Sequence, residues 1–151
     1  MRYVLDTNVI LAYLRKHSIW DLIELQLGIF ETDSDVYIPA VVIGELRSLA
    51  VQNKWGFNKR RELEIFAKEF TIIDFITEEI INSYAEIDAF SQGRLEEKPL
   101  IGSSRNMGKN DLWIAATASV LNATLITTDK DFQHLHTHFL EVAYFDINNK
   151  R

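Results

Sequence analysis

This sequence predicts an α/β fold in three layers, with a mostly parallel sheet of about five strands between helices on both faces. Two observations lead there. Short β-rich runs alternate along the chain with longer segments of helical periodicity, and strands separated by helices pair in parallel. Several of the short runs are also apolar at successive positions, as strands covered on both faces are. No repeat, low-complexity tract or Pro/Gly-rich linker divides the 151 residues. A single domain over residues 1–151 is therefore expected, long enough to enclose a core.

The elements follow in order. Residues 2–5 form the first strand candidate, and a helix over residues 8–15 starts directly after it. Ser18 is placed to cap a helix over residues 19–30. Residues 36–38 are the second strand. Pro39 suits the first turn of a helix running to about Asn53, and Asn58 can cap the next, to Glu69. Residues 71–75 are the third strand. Thr77, followed by Glu78 and Glu79, opens a helix to about Phe90, with both acids at the favourable end of the helix dipole. Residues 91–109 read as a loop, punctuated by Gly93, Pro99, Gly102 and Gly108. A helix over residues 111–121, a strand over 124–127, a short helix after Asp131 and a strand over 142–145 complete the chain.

Hydrophobic residues make up 47% of the chain and charged ones 25%, an ordinary globular composition. Cysteine is absent, which excludes a disulfide framework or a thiolate metal site and suits a reducing compartment. The start has no apolar signal-peptide core, because Asp6 and Asn8 interrupt it. No run approaches the ~18 apolar residues of a membrane span. A soluble, cytoplasmic protein with no membrane role is expected. The net charge of −6 argues against binding nucleic acid through a broad positive surface. It leaves a nuclease open, since clustered carboxylates inflate the negative count. Two stretches, residues 53–61 and 98–110, hold Lys and Arg without any acid. Such runs are commonly solvated faces, but they are also able to contact phosphates.

The informative residues are four acids in costly places: Asp6, Glu45, Asp111 and Asp129. Asp6 and Asp129 each follow an apolar strand, and in a parallel sheet both reach the carboxyl edge. Asp111 opens the helix before the second of these strands. A helix of about 11 residues advances about 16 Å, and a strand of 4–5 residues at about 3.3 Å each returns a similar distance. Asp111 and Asp129 are thus one helix–turn–strand excursion apart and end on the same edge. Glu45 shares a helix face with Val41, Val42 and Leu49.

Each acid alone has an ordinary explanation. Glu45 can bend out to solvent, Asp111 can cap a helix, and Asp6 and Asp129 can stabilise turns. All four holding at once, at positions that converge, is a different matter. Two carboxylates about 5 Å apart repel by roughly 3 kcal/mol at an effective dielectric of about 20, which raises one pKa by about two. Four together call for a cation. Oxygen ligands without Cys or a well-placed His point to Mg²⁺ or Mn²⁺ rather than Zn²⁺. Such an ion can polarise a phosphodiester and activate water.

At these residues the chain resembles the PIN-domain nucleases, and among them the VapC-type toxins of bacterial toxin–antitoxin pairs. The resemblance rests on Val4-Leu5-Asp6-Thr7-Asn8, Gly44-Glu45-Leu46, Asn110-Asp111-Leu112-Trp113-Ile114-Ala115-Ala116 and Leu125-Ile126-Thr127-Thr128-Asp129-Lys130-Asp131-Phe132. It implies a PIN fold in which the first and fourth strands are neighbours, and Mg²⁺- or Mn²⁺-dependent endonucleolytic cleavage of RNA. Asp6, Glu45, Asp111 and Asp129 would be both the metal-binding and the catalytic acids. Thr7, Asn8 and Thr128 would hold them in place, and Asp131 would support the metal or only cap the short helix after it. Lys109 or Arg105 would hold the RNA backbone. A cognate antitoxin and a homodimer are the expected partners. A housekeeping RNA-processing nuclease, or a non-catalytic RNA- or protein-binding module on the same fold, are the alternatives.

Other residues invite attention. His134, His136 and His138 alternate, but a helix or turn after Asp131 would separate their directions, so exposed histidines are expected. Trp20 and Trp113 sit in amphipathic helices and are expected in the core, whereas Trp55, between Lys54 and Lys59, is a candidate contact for RNA or protein. A receiver domain or aspartyl phosphatase would share a doubly wound sheet. However, Asp6-Thr7-Asn8 lacks the Asp-x-Asp of such phosphatases, and no phospho-acceptor with a matching lysine is evident.

Overall fold

The structure, a computed structural model, describes residues 1–148; the expected domain end at residue 151 lies outside them. The elements in chain order are β1 (Arg2–Leu5), α1 (Thr7–Leu14), α2 (Ile19–Leu27), β2 (Asp35–Pro39), α3 (Ala40–Gln52), α4 (Phe57–Lys68), β3 (Thr71–Ile73), α5 (Glu78–Ser91), α6 (Lys109–Val120), β4 (Thr124–Thr127), a 3₁₀ helix (Lys130–Leu135) and β5 (Glu141–Tyr144). The five strands form one sheet in the order β3-β2-β1-β4-β5, and every pairing is parallel.

Burial explains the strand composition. Tyr3, Val4 and Leu5 of β1 are all buried, as are Leu125, Ile126 and Thr127 of β4. Successive side chains of a strand point to opposite faces, so both faces of these central strands are covered by helices. The chain runs outward from β1 through β2 to β3, then crosses back to place β4 on the other side of β1. Strand order therefore reverses between β1 and β4, and the carboxyl edge at such a point is where open α/β sheets hold their sites. The register pairs Leu5 with Ile126, which brings the segments after β1 and β4 side by side.

Several boundaries differ from the sequence expectation for local reasons. β3 stops at Ile73 rather than Phe75 because its partner β2 ends at Pro39, opposite Ile73. α2 stops at Leu27 rather than Phe30 because Gly28 turns left-handed (φ 58) and its N–H closes on the Glu24 carbonyl. Ser18 precedes α2 but makes no side-chain cap; the Ile19 N–H donates to His17 Nδ1 at 3.0 Å instead. Pro39 lies just outside α3, which starts at Ala40, and Gly56 rather than Asn58 precedes α4. Thr77 caps α5 as expected, accepting from the Ile80 N–H at 3.2 Å.

Trp20 is in the core, its indole N–H donating to the Val9 carbonyl at 2.8 Å. Trp113 is half-buried, its ring centroid 4.2 Å from that of Tyr84. Lys59 covers the half-buried Trp55 ring at 4.0 Å. No helix among the described residues is long and apolar enough to cross a membrane. Ile126, fully buried beside β1, is central to the architecture. Ile126→Ala is expected to destabilise the protein by about 2–5 kcal/mol in urea unfolding; a loss under about 1 kcal/mol would show that β4 is not the packed centre of the sheet.

Candidate active site

The site begins where β1 ends. Asp6 leaves the strand in extended conformation and caps α1. Its backbone N–H continues the sheet ladder by donating to the Ile126 carbonyl at 3.1 Å. One carboxylate oxygen, Oδ1, accepts from the Thr7 N–H at 2.7 Å, and the other, Oδ2, accepts from the Thr127 hydroxyl at 2.7 Å. The side chain thus ties β1, α1 and β4 together. Burial is the main influence on its pKa, pushing it up to about 6 against the lowering effect of the Thr127 and Thr7 hydrogen bonds. The neighbouring charges of Asp129 and Glu45 push the same way as burial.

Thr127 also organises the second acid. Its Oγ1 accepts from the Asp129 N–H at 3.0 Å, so one hydroxyl links Asp6 to the turn after β4. Asp129 then caps the 3₁₀ helix, Oδ1 accepting from the Asp131 N–H at 2.9 Å. The expected helix-capping role thus belongs to Asp129 rather than Asp131. The Asp131 side chain is exposed, though its charge still bears on Asp111.

Asp111 stands third in α6, which starts at Lys109 after Gly108, and not at its opening. It is half-buried, and its pKa is raised to about 7, first by burial and then by the charges of Asp6, Asp129, Glu45 and Asp131. Glu45 comes from α3, where it follows the buried Val42 by three residues and precedes the half-buried Leu49 by four. Its Oε1 is buried without a hydrogen-bond partner. The two ion pairs found among the described residues, Arg47–Glu64 and His136–Glu141, leave all four acids untouched.

Four carboxylates from four segments therefore act on one another with no cationic side chain among the described residues paired to them. An unpartnered buried oxygen on Glu45, two acids raised toward neutral pH and an all-oxygen donor set have the chemistry of a hard divalent-cation site. As the side chains stand, no three Asp, Glu or His residues among those described are grouped to grip one ion.

The supporting residues differ from expectation. Thr7 contributes its backbone N–H, while its own hydroxyl is buried and unpartnered. Asn8 and Thr128 line an adjoining cleft, and Thr127 is the threonine that fixes the acids. The clue was a polar residue ending a buried strand, but only the β1–β4 register singles it out. His134 is not an exposed histidine. Its Nε2 lies 2.7 Å from the buried Ser91 hydroxyl, its ring stacks on Phe90, and its pKa is lowered to about 4, chiefly by burial and then by Arg105. It joins the end of α5 to the 3₁₀ helix beside Asp131. His136 and His138 are exposed as expected.

The PIN domain family matches residues 3–136, and the chain belongs to it. It is 32% identical over 142 residues to Ribonuclease VapC2 of Rickettsia felis, an alignment spanning 93% of this chain and 97% of that protein. Among solved structures it is similar to VapBC2 from Rickettsia felis bound to a DNA fragment from their promoter, with 30% identity, a TM-score of 0.72 and coverage of 97% of this chain and 100% of that one. VapBC-1 from nontypeable Haemophilus influenzae is similar at 26% identity and a TM-score of 0.71, covering 95% of this chain and 98% of that one.

The raised acids set the pH dependence of the metal-free protein. Unfolded, Asp111 loses its proton near the ordinary carboxylate value of ~4; folded, it keeps that proton until about pH 7. Its contribution is therefore most favourable below the lower value and is lost as pH rises through the higher one. In EDTA at pH 8, Asp111→Asn is expected to melt about 2–6 °C above the wild type, the gap narrowing as pH falls to 5. A variant that melts lower at pH 8, or a gap independent of pH, would contradict the mutual repulsion.

Proposed function

We propose that this chain is a metal-dependent endoribonuclease, the toxin of a toxin–antitoxin pair, built as one nuclease domain. The observation that carries this reading is that Asp6, Glu45, Asp111 and Asp129 lie close enough for their charges to act on one another, with no cationic side chain among the described residues paired to them. The similarity to a protein named a ribonuclease supports RNA as the substrate.

In this reading the four acids hold Mg²⁺ or Mn²⁺ and are the catalytic residues. Bound there, the ion supplies Lewis-acid activation of a phosphodiester and of the water that attacks it. The chain's own contribution is positioning. Thr127 and the Thr7 N–H fix Asp6 in one orientation, so its oxygens need little rearrangement on binding. Asp129 is held by its cap to the 3₁₀ helix. The exposed Lys109, two residues before Asp111, and Arg105 in the preceding loop can neutralise phosphates of an approaching RNA.

The partner is an antitoxin protein, by similarity to relatives solved as VapBC assemblies. Such a partner needs an apolar surface to cover. A groove of about 670 Å³ between α1, α2 and α4 offers Tyr13, Trp20, Phe30 and Phe66, with Phe30 and Ile65 exposed. A second copy of the chain is also expected, as an arrangement that would bury further exposed apolar residues such as Phe75 and Ile76.

The test is cleavage of RNA by the purified protein. Cleavage is expected with Mg²⁺ or Mn²⁺, none in EDTA, and a loss of at least about a hundredfold in Asp6→Asn and Glu45→Gln, with both variants still melting cooperatively. Cleavage that persists in EDTA, or equal activity in the folded variants, would overturn the assignment.

A further inference from the structure

Ser91 and His134 form a polar contact in the interior that the four acids do not use. Ser91 is the last residue of α5 and is fully excluded from solvent. Its hydroxyl lies 2.7 Å from His134 Nε2 and donates to Met107 Sδ at 3.3 Å. Its backbone carbonyl accepts from the Arg105 N–H at 2.8 Å. One residue thus joins the end of α5, the loop over residues 92–108 and the 3₁₀ helix.

Proton counting sets the sense of these bonds. A serine hydroxyl has one proton, and a thioether sulfur can only accept. With that proton on the Met107 bond, Ser91 Oγ accepts from the His134 Nε2–H. His134 Nδ1 is then a bare lone pair, and it is buried without a partner. A proton there would be an unpaired buried donor, and burial together with the Arg105 charge disfavours it. His134 is therefore a neutral donor of fixed direction, its ring parallel to that of Phe90 at an interplanar angle of 3°.

The two ends of this contact lead to two of the acids. After Met107 and Gly108 the chain enters α6, with Asp111 in its first turn. Met107 is itself buried, so its bond to Ser91 sets where that turn begins. On the other side, His134 belongs to the 3₁₀ helix that Asp129 caps. It stands about 10 Å along that helix from Asp129, at about 2 Å per residue. Phe132 and Leu135 of the same helix are fully buried, so the segment shifts as a unit. The loop between does not fix the spacing by itself. It leaves and returns at one neck, where Gly93 and Ser104 are neighbours and Arg105 bonds back to Ser91. Its outer part is held separately, by Lys98 donating to the His138 carbonyl at 2.6 Å and lying 4.2 Å over the Phe139 ring.

We propose that Ser91 and His134 are positioning residues: their hydrogen bond fixes the first turn of α6 against the 3₁₀ helix, and so sets the spacing of Asp111 and Asp129 for one divalent cation. Such an ion takes its oxygen ligands within narrow limits, about 2.0–2.1 Å for Mg²⁺, so a small slip between the two helices loosens its grip. This rests on the nuclease reading above and adds two residues that act on the acids from a distance.

The test reads metal affinity rather than cleavage. The full chain and its variants, each shown to melt cooperatively in EDTA, are titrated with Mn²⁺ by calorimetry at pH 8. His134→Gln keeps an amide N–H within reach of Ser91, whereas the His134→Asn side chain is too short to meet it. Both substitutes are neutral and polar at a half-buried position, so that reach is the main difference between them. His134→Asn is expected to raise the Mn²⁺ dissociation constant about tenfold or more, and His134→Gln to stay close to the wild type. Ser91→Ala is expected to weaken binding by a similar factor, and its combination with His134→Asn no further, since both remove one contact. The contrast between Gln and Asn decides the matter even where Ser91→Ala does not fold. Wild-type affinity in His134→Asn, or equal losses in the two His134 variants, would overturn the positioning role and leave the cation site standing. A wild type that binds no Mn²⁺ would remove the cation reading, and this role with it.

Discussion

Asp6 is seated where β1, α1 and β4 meet, and much of the molecule is arranged around keeping it there. Its backbone extends the β1–β4 ladder, one carboxylate oxygen caps α1, and the other is gripped by Thr127. Two hydrogen bonds would ordinarily hold a carboxyl low. Here burial and the charges of Asp129 and Glu45 outweigh them and leave it near 6. The fold thus places a carboxylate where burial and like charge oppose its ionisation even though both its oxygens are hydrogen-bonded.

The parallel sheet makes this placement possible. Strand order reverses beside β1, so the chain leaves the sheet's carboxyl edge at two neighbouring points, just before Asp6 and just before Asp129. α3 and α6 then bring in Glu45 and Asp111. The resulting repulsion is a local destabilisation carried by a closely packed core in which Leu5, Ile10, Ile114, Leu125 and Ile126 are almost wholly excluded from solvent. Sites that work by concentrating like charge are commonly stabilised by the rest of the fold in this manner.

The parts of the fold legible in the sequence were those with a local cause. An aspartate directly after a buried strand marks the carboxyl edge, and this located Asp6 and Asp129. Helical spacing put Glu45 on an apolar face, and the length of one excursion put Asp111 on the same edge as Asp129. α6 starts two residues ahead of the expected position because Lys109 and Asn110, polar and exposed in its first turn, carry no apolar periodicity. The sequence does not distinguish Thr127 from Thr128, because two adjacent threonines are equivalent until pairing with β1 fixes which one faces Asp6. The burial of His134 against Ser91 and Phe90 joins segments far apart in sequence, which no local pattern encodes.

On the reading proposed above, the acidic edge is a cation site, and burial and mutual repulsion hold Asp6 and Asp111 partly protonated near pH 6 when no cation is bound. Calorimetric titration of the metal-free protein with Mn²⁺, repeated in buffers of different ionisation enthalpy, addresses it directly. Binding at pH 6 should release protons, because Asp6 and Asp111 have pKa values raised to about 6 and about 7 and must ionise to ligate. The release should fade by pH 8. Absence of binding, or binding at pH 6 with no proton release, would contradict it.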